Sequence, residues 1–327
     1  MSLRCIEREI RVPETMAGLR LDQALAQLLA EFSRGRLQAW IKARQVTVDG
    51  RILRARDRIK GGEQIVIKAE LDESAAAVEP EQIALNVIYE DRDLLVINKE
   101  AGMVVHPAAG HARGTLQNAL LYRSSALSAL PRAGIVHRLD KLTSGVMVVA
   151  KTLEAHHSLV SQLQTRKMSR QYLALVHGVM PSGGSIEAPI GRHPVDRKRM
   201  AVVAAGKEAT THYRVHRRFR RHTLLEVKLE SGRTHQIRVH MAYLRYPLVG
   251  DPVYGGRFKL PPGAGQELTE ALQRFRRQAL HAQTLALVHP RSNRPMRWSA
   301  PVPADMAALL ELLAQDCGQC DNNENSG

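Results

Sequence analysis

The sequence predicts a small basic α/β module followed by a larger α+β domain built on a mixed, largely antiparallel sheet. Three observations predict it. At roughly 150 residues per domain, 327 residues amount to about two domains. An acidic stretch without Lys or Arg, residues 69–84 (AELDESAAAVEPEQIA), interrupts a basic chain, as domain boundaries often do. Beyond it, helical periodicity gives way to short β-rich runs separated by Gly, Pro and Ser turns.

Within 18–69, Leu19, Leu21, Ala24, Leu25, Leu28 and Leu29 recur at helical spacing. Ser33 is a candidate cap for a second helix, with Leu37, Trp40 and Ile41 on one side and Arg34, Arg36, Lys42 and Arg44 crowding the other. Val46-Thr47-Val48 alternates into Asp49-Gly50, a hairpin-turn pair; a return strand and a Gly61-Gly62 turn then lead to Ile65-Val66-Ile67. Residues 1–17 read as an N-terminal extension, 70–84 as a linker, 85–315 as the larger domain and 316–327 as a polar, disordered tail. In the larger domain strands are expected at 94–98, 103–106, 146–150, 172–177 and 224–229. Helices are expected at 153–166, capped by Thr152, and at 234–244, after a Ser231-Gly232-Arg233 turn.

Charge narrows the function. Lys and Arg number 47 against 32 Asp and Glu, a net +15, which points to a polyanion such as nucleic acid. Eleven Lys/Arg and five Asp/Glu lie between Gly18 and Lys68, and a second concentration in 192–221 includes Arg197, Lys198 and Arg199. Both read as phosphate-binding surfaces. Aromatics at 4% argue against a broad base-stacking platform. No apolar run approaches the roughly 20 residues of a membrane span, and the first dozen residues lack the apolar core of a signal peptide. Three cysteines make no disulfide framework, which suits a reducing cytoplasm. Cys317 and Cys320 form an isolated pair in the polar tail, and His235 and His240, five residues apart, are wrongly spaced for two ligands on one helix face, so no metal is expected. Neither Gly255-Gly256 nor residues 261–265 match a nucleotide-binding loop, so no cofactor is expected.

The informative stretch is Gly134-Ile-Val-His137-Arg138-Leu139-Asp140-Lys141-Leu-Thr143-Ser144-Gly145. It lies between two apolar runs and so reads as a loop at a sheet edge. One carboxylate, Asp140, stands among Arg138, Lys141 and His137, an anion available as nucleophile or base; a salt-bridged surface turn is the alternative.

This loop resembles the catalytic loop of the RluA-type pseudouridine synthases. Further blocks carry the likeness in order. Ile97-Asn98-Lys99-Glu100-Ala-Gly102-Met-Val-Val-His106-Pro107 is similar to the family's first motif, with Glu100 in place of the usual proline. Ser169-Arg170-Gln171-Tyr172 is similar to the block carrying its tyrosine, and Ser231-Gly232-Arg233-Thr234-His235-Gln236-Ile237-Arg238-Val239-His240 to its third motif. Pro247-Leu-Val-Gly-Asp251-Pro-Val-Tyr254-Gly-Gly follows at the expected place, and residues 18–69 resemble an S4 RNA-binding domain.

The resemblance implies isomerisation of uridine already in RNA, without metal, ATP or redox cofactor. It implies Asp140 as the essential carboxylate and Arg238 as the cation pairing with it. Tyr172 would contact the uracil and act as base at C5, and Ile237 would pack on the uracil face, with plain core packing as the alternative for each. Arg138 would occupy the space left by a flipped base or hold a phosphate, and Lys99 would support the site. Within the family the likeness is to members acting on large-subunit rRNA, with a helix 69 stem-loop as the narrower target. The implied partner is large-subunit rRNA or a pre-ribosomal particle, met by a monomer in the cytoplasm with no membrane involved. The competing readings are a sibling enzyme with other rRNA targets and a non-catalytic rRNA-binding assembly factor.

Overall fold

The computed structural model describes residues 3–29, 32, 34–72, 78–107, 111–197, 199–256 and 260–324. They form two compact units, Met1–Glu79 and Pro80–Gly327.

The first unit contains β1 (Leu3–Arg11), α1 (Leu21–Leu28), α2 (Arg34–Lys42), β2 (Val46–Val48) and β3 (Gln64–Asp72). The strands form an antiparallel sheet in the order β1-β3-β2. Residues 1–17 are therefore not a mere extension: β1 pairs with β3 along its whole length, from Leu3↔Asp72 to Arg11↔Gln64. Leu21, Leu25, Leu37, Ile65 and Ile67 are fully buried between helices and sheet. Asp49 and Gly50 take positive φ (48° and 73°), as a two-residue hairpin turn of this kind requires. The expected return strand shrinks to a single bridge between Val48 and Arg51. Ser33, the candidate cap, lies outside the described residues.

The second unit contains, in chain order, β4 (Val87–Glu90), β5 (Leu94–Lys99), α3 (Leu116–Arg123), β6 (Ser144–Ala150), α4 (Leu153–Gln164), β7 (Ser169–His177), β8 (Gly184–Glu187), β9 (Ile190–Arg192), β10 (Met200–Val202), β11 (Thr210–Arg218), β12 (His222–Leu229), α5 (Gln236–Tyr243), α6 (Gln266–Arg274), β13 (Leu280–Val288), β14 (Pro295–Ser299) and α7 (Ala304–Glu324). The main sheet runs β4-β5-β6-β13-β7-β12-β11-β8, with β14 on β13. Every pairing in it is antiparallel except β6–β13, which meet at His281↔Ser144 and Ala282↔Gly145. The expected mixed, largely antiparallel α+β architecture is the one observed.

All seven residues of β6 are buried, the signature of a strand covered on both faces. Leu95, Ile97, Met147, Val149, Ala174 and Leu225 belong to the core on one side. On the other, Val96, Val146 and Val148 pack with Ala155 and Leu159 of α4. Gly145 has φ 119°, and a Cβ there would lie 2.2 Å from the Ala282 carbonyl oxygen. Only glycine lets β13 enter beside the start of β6.

Three local expectations are corrected. Residues 103–106 form no strand, only a bridge from Val104 to Thr115; apolar character there serves loop packing, with Val105 buried. The helix expected from 234 begins at Gln236, because His235 is left-handed (φ 57°). The tail expected to be disordered from 316 instead continues α7 through Glu324; earlier in that helix Leu309 and Leu313 are buried, and Asp316 takes two hydrogen bonds from Arg220 at 2.8 and 2.9 Å. Cys317 is half-buried there, its Sγ accepting from the Arg220 N–H at 3.1 Å. The Thr152 cap is present, its hydroxyl accepting from the Ala155 N–H at 3.2 Å. Among the described residues no helix is long and apolar enough to cross a membrane.

Candidate active site

The loop bearing Asp140 is clamped at both ends. It is entered through three successive left-handed residues, Arg132, Ala133 and Gly134 (φ 54°, 53° and 80°), and a Cβ on Gly134 would strike the Ala150 carbonyl of β6. It leaves through Gly145, wedged against β13. Between these points the chain is tied from within. The His137 Nε2 accepts from the Val148 N–H at 3.1 Å. Lys99, at the end of β5, donates from Nζ to the carbonyls of Glu100 (2.7 Å), Met103 (3.0 Å) and Lys141 (3.2 Å). It thereby fastens the loop after β5 to the loop of Asp140. Lys99 is 1% exposed, and burial pushes its ammonium down to about 7, with the Asp140 charge opposing.

Asp140 faces Arg238 of α5, which donates from Nη1 to its Oδ2 at 2.9 Å. The other edge of the same guanidinium grips Asp251, Nε to Oδ2 at 2.7 Å and Nη2 to Oδ1 at 2.9 Å. Asp251 lies fully buried in the turn after α5, where its Oδ1 also accepts from the N–H groups of Val253 (2.8 Å) and Tyr254 (3.0 Å). Burial pushes the Asp251 carboxyl up, but Arg238 and the backbone donors outweigh it and hold it below the usual range. Burial likewise opposes the Arg238 charge, and its two carboxylates more than restore it. Asp140 thus receives a guanidinium already oriented by a partner that never sees solvent.

A second contact reaches Asp140 from His235, whose Nε2 is 3.9 Å from Oδ2. The His235 Nδ1 meets the Tyr254 hydroxyl at 2.9 Å, and that hydroxyl accepts from the Met200 N–H at 2.9 Å. With the hydroxyl donating to Nδ1, the ring proton sits on Nε2, facing Asp140. The guanidiniums of Arg238 and Arg199 each lie over the Tyr254 ring, 5.0 and 5.2 Å from its centroid.

Asp140, His235 and Arg238 line a cleft of about 580 Å³. Tyr172 of β7 and Ile237 of α5 form buried walls, and Arg138 is exposed at the rim. Burial pushes the Tyr172 phenol up, with Arg170 partly opposing. The cleft therefore brings together five expected residues, Asp140, Arg238, Tyr172, Ile237 and Arg138, while Lys99 lies outside its lining and fastens the Asp140 loop. Asp251, Tyr254, His235 and Arg170 carry no role in the sequence reading. All four lie in blocks that carry the family likeness, but an Asp between Gly and Pro reads as a turn residue, so only the fold reveals its pairing.

The basic residues divide. Lys42 and Arg44 are exposed in the first unit and Arg36 is half-buried, but Arg34 is engaged by the fully buried Asp22 at 2.6 Å. In the second unit Arg197 is exposed, Lys198 lies outside the described residues, and Arg199 is half-buried against Tyr254. Arg214 pairs with Glu226, Arg218 donates to the Met180 and Pro181 carbonyls, and Arg220 pairs with Asp316. The 192–221 stretch is thus partly internal bracing, not one free phosphate surface. Asp91, Asp93 and His289 stand within metal-ligand distance of one another, but Tyr89, Arg291 and backbone N–H groups satisfy them as a structural network.

The His137 ring sets an expected pH dependence. Burial pushes it down to about 3, against 6.5 for an ordinary histidine. Between these values the unfolded chain binds more protons, so the stability is complete above pH 6.5 and declines as pH falls towards 3. Urea unfolding should lose about 1 kcal/mol per pH unit from this group within the window. His137→Gln, which keeps an acceptor for Val148 without ionising, should flatten the slope; equal slopes would show that His137 is not the group responsible.

Comparison with known proteins adds to this geometry. Residues 93–243 match the family described as RNA pseudouridylate synthase, and residues 19–65 match the S4 domain. The chain is 58% identical over 311 residues to the ribosomal large subunit pseudouridine synthase D of Pseudomonas aeruginosa, covering 95% of this chain and 97% of that protein. It is 55% identical over 309 residues to the protein of the same name from Xanthomonas campestris pv. campestris, covering 94% and 93%. Among solved structures it is similar to human RNA pseudouridylate synthase domain containing 4, with a TM-score of 0.55, 26% identity, and coverage of 70% of this chain and 93% of that one.

Proposed function

The chain belongs to the RNA pseudouridylate synthase family, and from that premise we propose that it isomerises defined uridines of large-subunit rRNA, a helix 69 stem-loop being the target, with Asp140 as the essential carboxylate. The observation that carries the site assignment is the Asp251–Arg238–Asp140 chain, which presents one half-exposed carboxylate to a cleft large enough for a nucleotide. The names of these relatives support the rRNA substrate. The target base leaves its stack, at a cost of a few kcal/mol, and enters the cleft.

The chemistry is balanced within one nucleotide. The N1–C1′ bond breaks, the uracil turns, C5 bonds to C1′, and the C5 proton is lost as N1 gains one. Asp140 acts at the sugar, either attacking C1′ or accepting the C2′ proton; the first mode resembles covalent glycoside cleavage. Arg238 fixes the carboxylate from behind. Tyr172 contacts the uracil and takes the C5 proton, Ile237 packs on the base face, and Arg138 enters the vacated stack or holds a phosphate. Lys99 positions the loop of Asp140. The first unit supplies affinity for rRNA or a pre-ribosomal particle through Arg36, Lys42 and Arg44, and the enzyme acts in the cytoplasm, as a monomer.

Tritium release from 5-tritiated large-subunit rRNA fragments tests this, because isomerisation must expel the C5 hydrogen. Release is expected at one per uridine converted, concentrated in fragments containing helix 69. No release from fragments or from pre-ribosomal particles, with RNA binding intact, would transfer the reading to a non-catalytic assembly factor.

A further inference from the structure

Arg170 stands two residues before Tyr172 on β7 and therefore projects to the same side of the sheet, into the cleft. It is only 8% exposed, yet its Nε has no hydrogen-bond partner and among the described residues it has no ion pair. A guanidinium cannot shed its charge, so a buried one without an anion is costly to keep. The two carboxylates in the cleft lining are already engaged: Asp140 by Arg238, and Glu230 by Arg166 and by His212 at 2.7 Å. The surroundings also make room for the group. Gly232 lies where a Cβ would come within 2.8 Å of Arg170 Nη1, so the absence of a side chain at 232 leaves the guanidinium its place. Its neighbour His137 is held neutral and offers no counter-charge.

We propose that Arg170 is a phosphate-binding residue of the cleft, gripping the non-bridging oxygens of the phosphodiester next to the flipped uridine. The inference rests on the proposed RNA substrate and adds a contact that sets the nucleotide's depth and register over Asp140. A phosphodiester is the anion that every RNA substrate brings, and the planar fork of arginine matches two of its oxygens. Arg170 is thus a positioning residue for the substrate backbone, separate from the base-facing Tyr172.

The test is a cycle between protein and substrate. The modified uridine is first mapped with the wild-type enzyme. Two stem-loops are then made with a neutral methylphosphonate immediately 5′ or 3′ of it. Dissociation constants and single-turnover tritium release are measured for wild type, Arg170→Met and Arg170→Lys. For the wild type, one of the two methylphosphonates should weaken binding about tenfold, the scale of one good charged contact. Arg170→Met should bind the unmodified RNA about tenfold more weakly and be indifferent to that same methylphosphonate, and its salt slope should fall by about 0.7. Arg170→Lys should recover part of the loss. Gly232→Ala, which displaces the guanidinium without removing it, should act in the same direction and guards against a folding artefact in the first variant. Independent effects of Arg170→Met and both methylphosphonates, or an unchanged dissociation constant in Arg170→Met, would overturn the proposal. If the wild type modifies no uridine, methylphosphonates are instead scanned along the bound stem-loop; binding by the wild type that answers to one of them, with Arg170→Met indifferent to it, would overturn the isomerase reading and leave the phosphate site standing.

Discussion

Asp140→Asn should lower tritium release by at least about 10³-fold in kcat/KM, a loss of at least about 4 kcal/mol of transition-state stabilisation, while RNA affinity changes by no more than a few fold. The asymmetry follows from the geometry. Asparagine matches aspartate in shape, and its one oxygen can still accept from Arg238 Nη1, which now donates at 2.9 Å. Arg238 keeps its bidentate grip on Asp251, so the cleft wall stays in place. What disappears is the charge and the basic oxygen, which both modes of action at the sugar require. Binding draws on cations elsewhere, and removing an anion from the path of a polyanion cannot weaken the encounter. Single-turnover tritium release beside filter binding and urea unfolding separates the three quantities. Turnover within tenfold of wild type would remove Asp140 from the chemistry.

Much of the fold was legible because its signals are local. β5, β6 and β12 announce themselves as short apolar runs, and Thr152 caps α4 through a hydrogen bond three residues away. β1 was not legible: it is an edge strand of alternating charge, and its inward-facing Ile6 and Ile10 are too few to outweigh Glu7, Arg8 and Glu9. The end of α7 misled for a different reason. Its Asp316 finds a partner in Arg220, 96 positions away, and no local pattern encodes that. The same division runs through the site. Asp140 stood out because its cationic neighbours share its loop. Asp251 did not, because its meaning lies in Arg238, 13 residues earlier and across a helix. Net charge predicted an anionic partner but could not say which arginines are engaged internally; Arg34 and Arg220 answer buried or half-buried carboxylates of the protein itself.

Asp251→Ala is the change expected to cost most stability, about 3–5 kcal/mol, because it breaks a buried ion pair from one side. Arg238 would remain 4% exposed with only a single bond to Asp140, and the N–H groups of Val253 and Tyr254 would lose their acceptor. Asp251→Asn offers little relief. All four hydrogen bonds into this carboxylate come from donors, two from the guanidinium and two from backbone N–H groups. An amide supplies one oxygen where two are used and turns an NH₂ towards another donor. Urea unfolding with comparable m-values should register both losses, and the damage should spread to turnover. Freed from Asp251, Arg238 can rotate to hold Asp140 with both edges, drawing the carboxylate away from the sugar, so that kcat falls more than KM rises. The pH dependence has a defined sign: the Asp251 carboxyl is held below the usual range, so its contribution is present above the ordinary carboxylate value and is lost as pH falls through the folded one. A double variant, Arg238→Met with Asp251→Ala, should be less unstable than the two single losses added together, since removing the second charge relieves the first. Additive losses, or a cost below about 1 kcal/mol for Asp251→Ala, would mean that the buried pair neither holds the fold nor orients the cation behind Asp140.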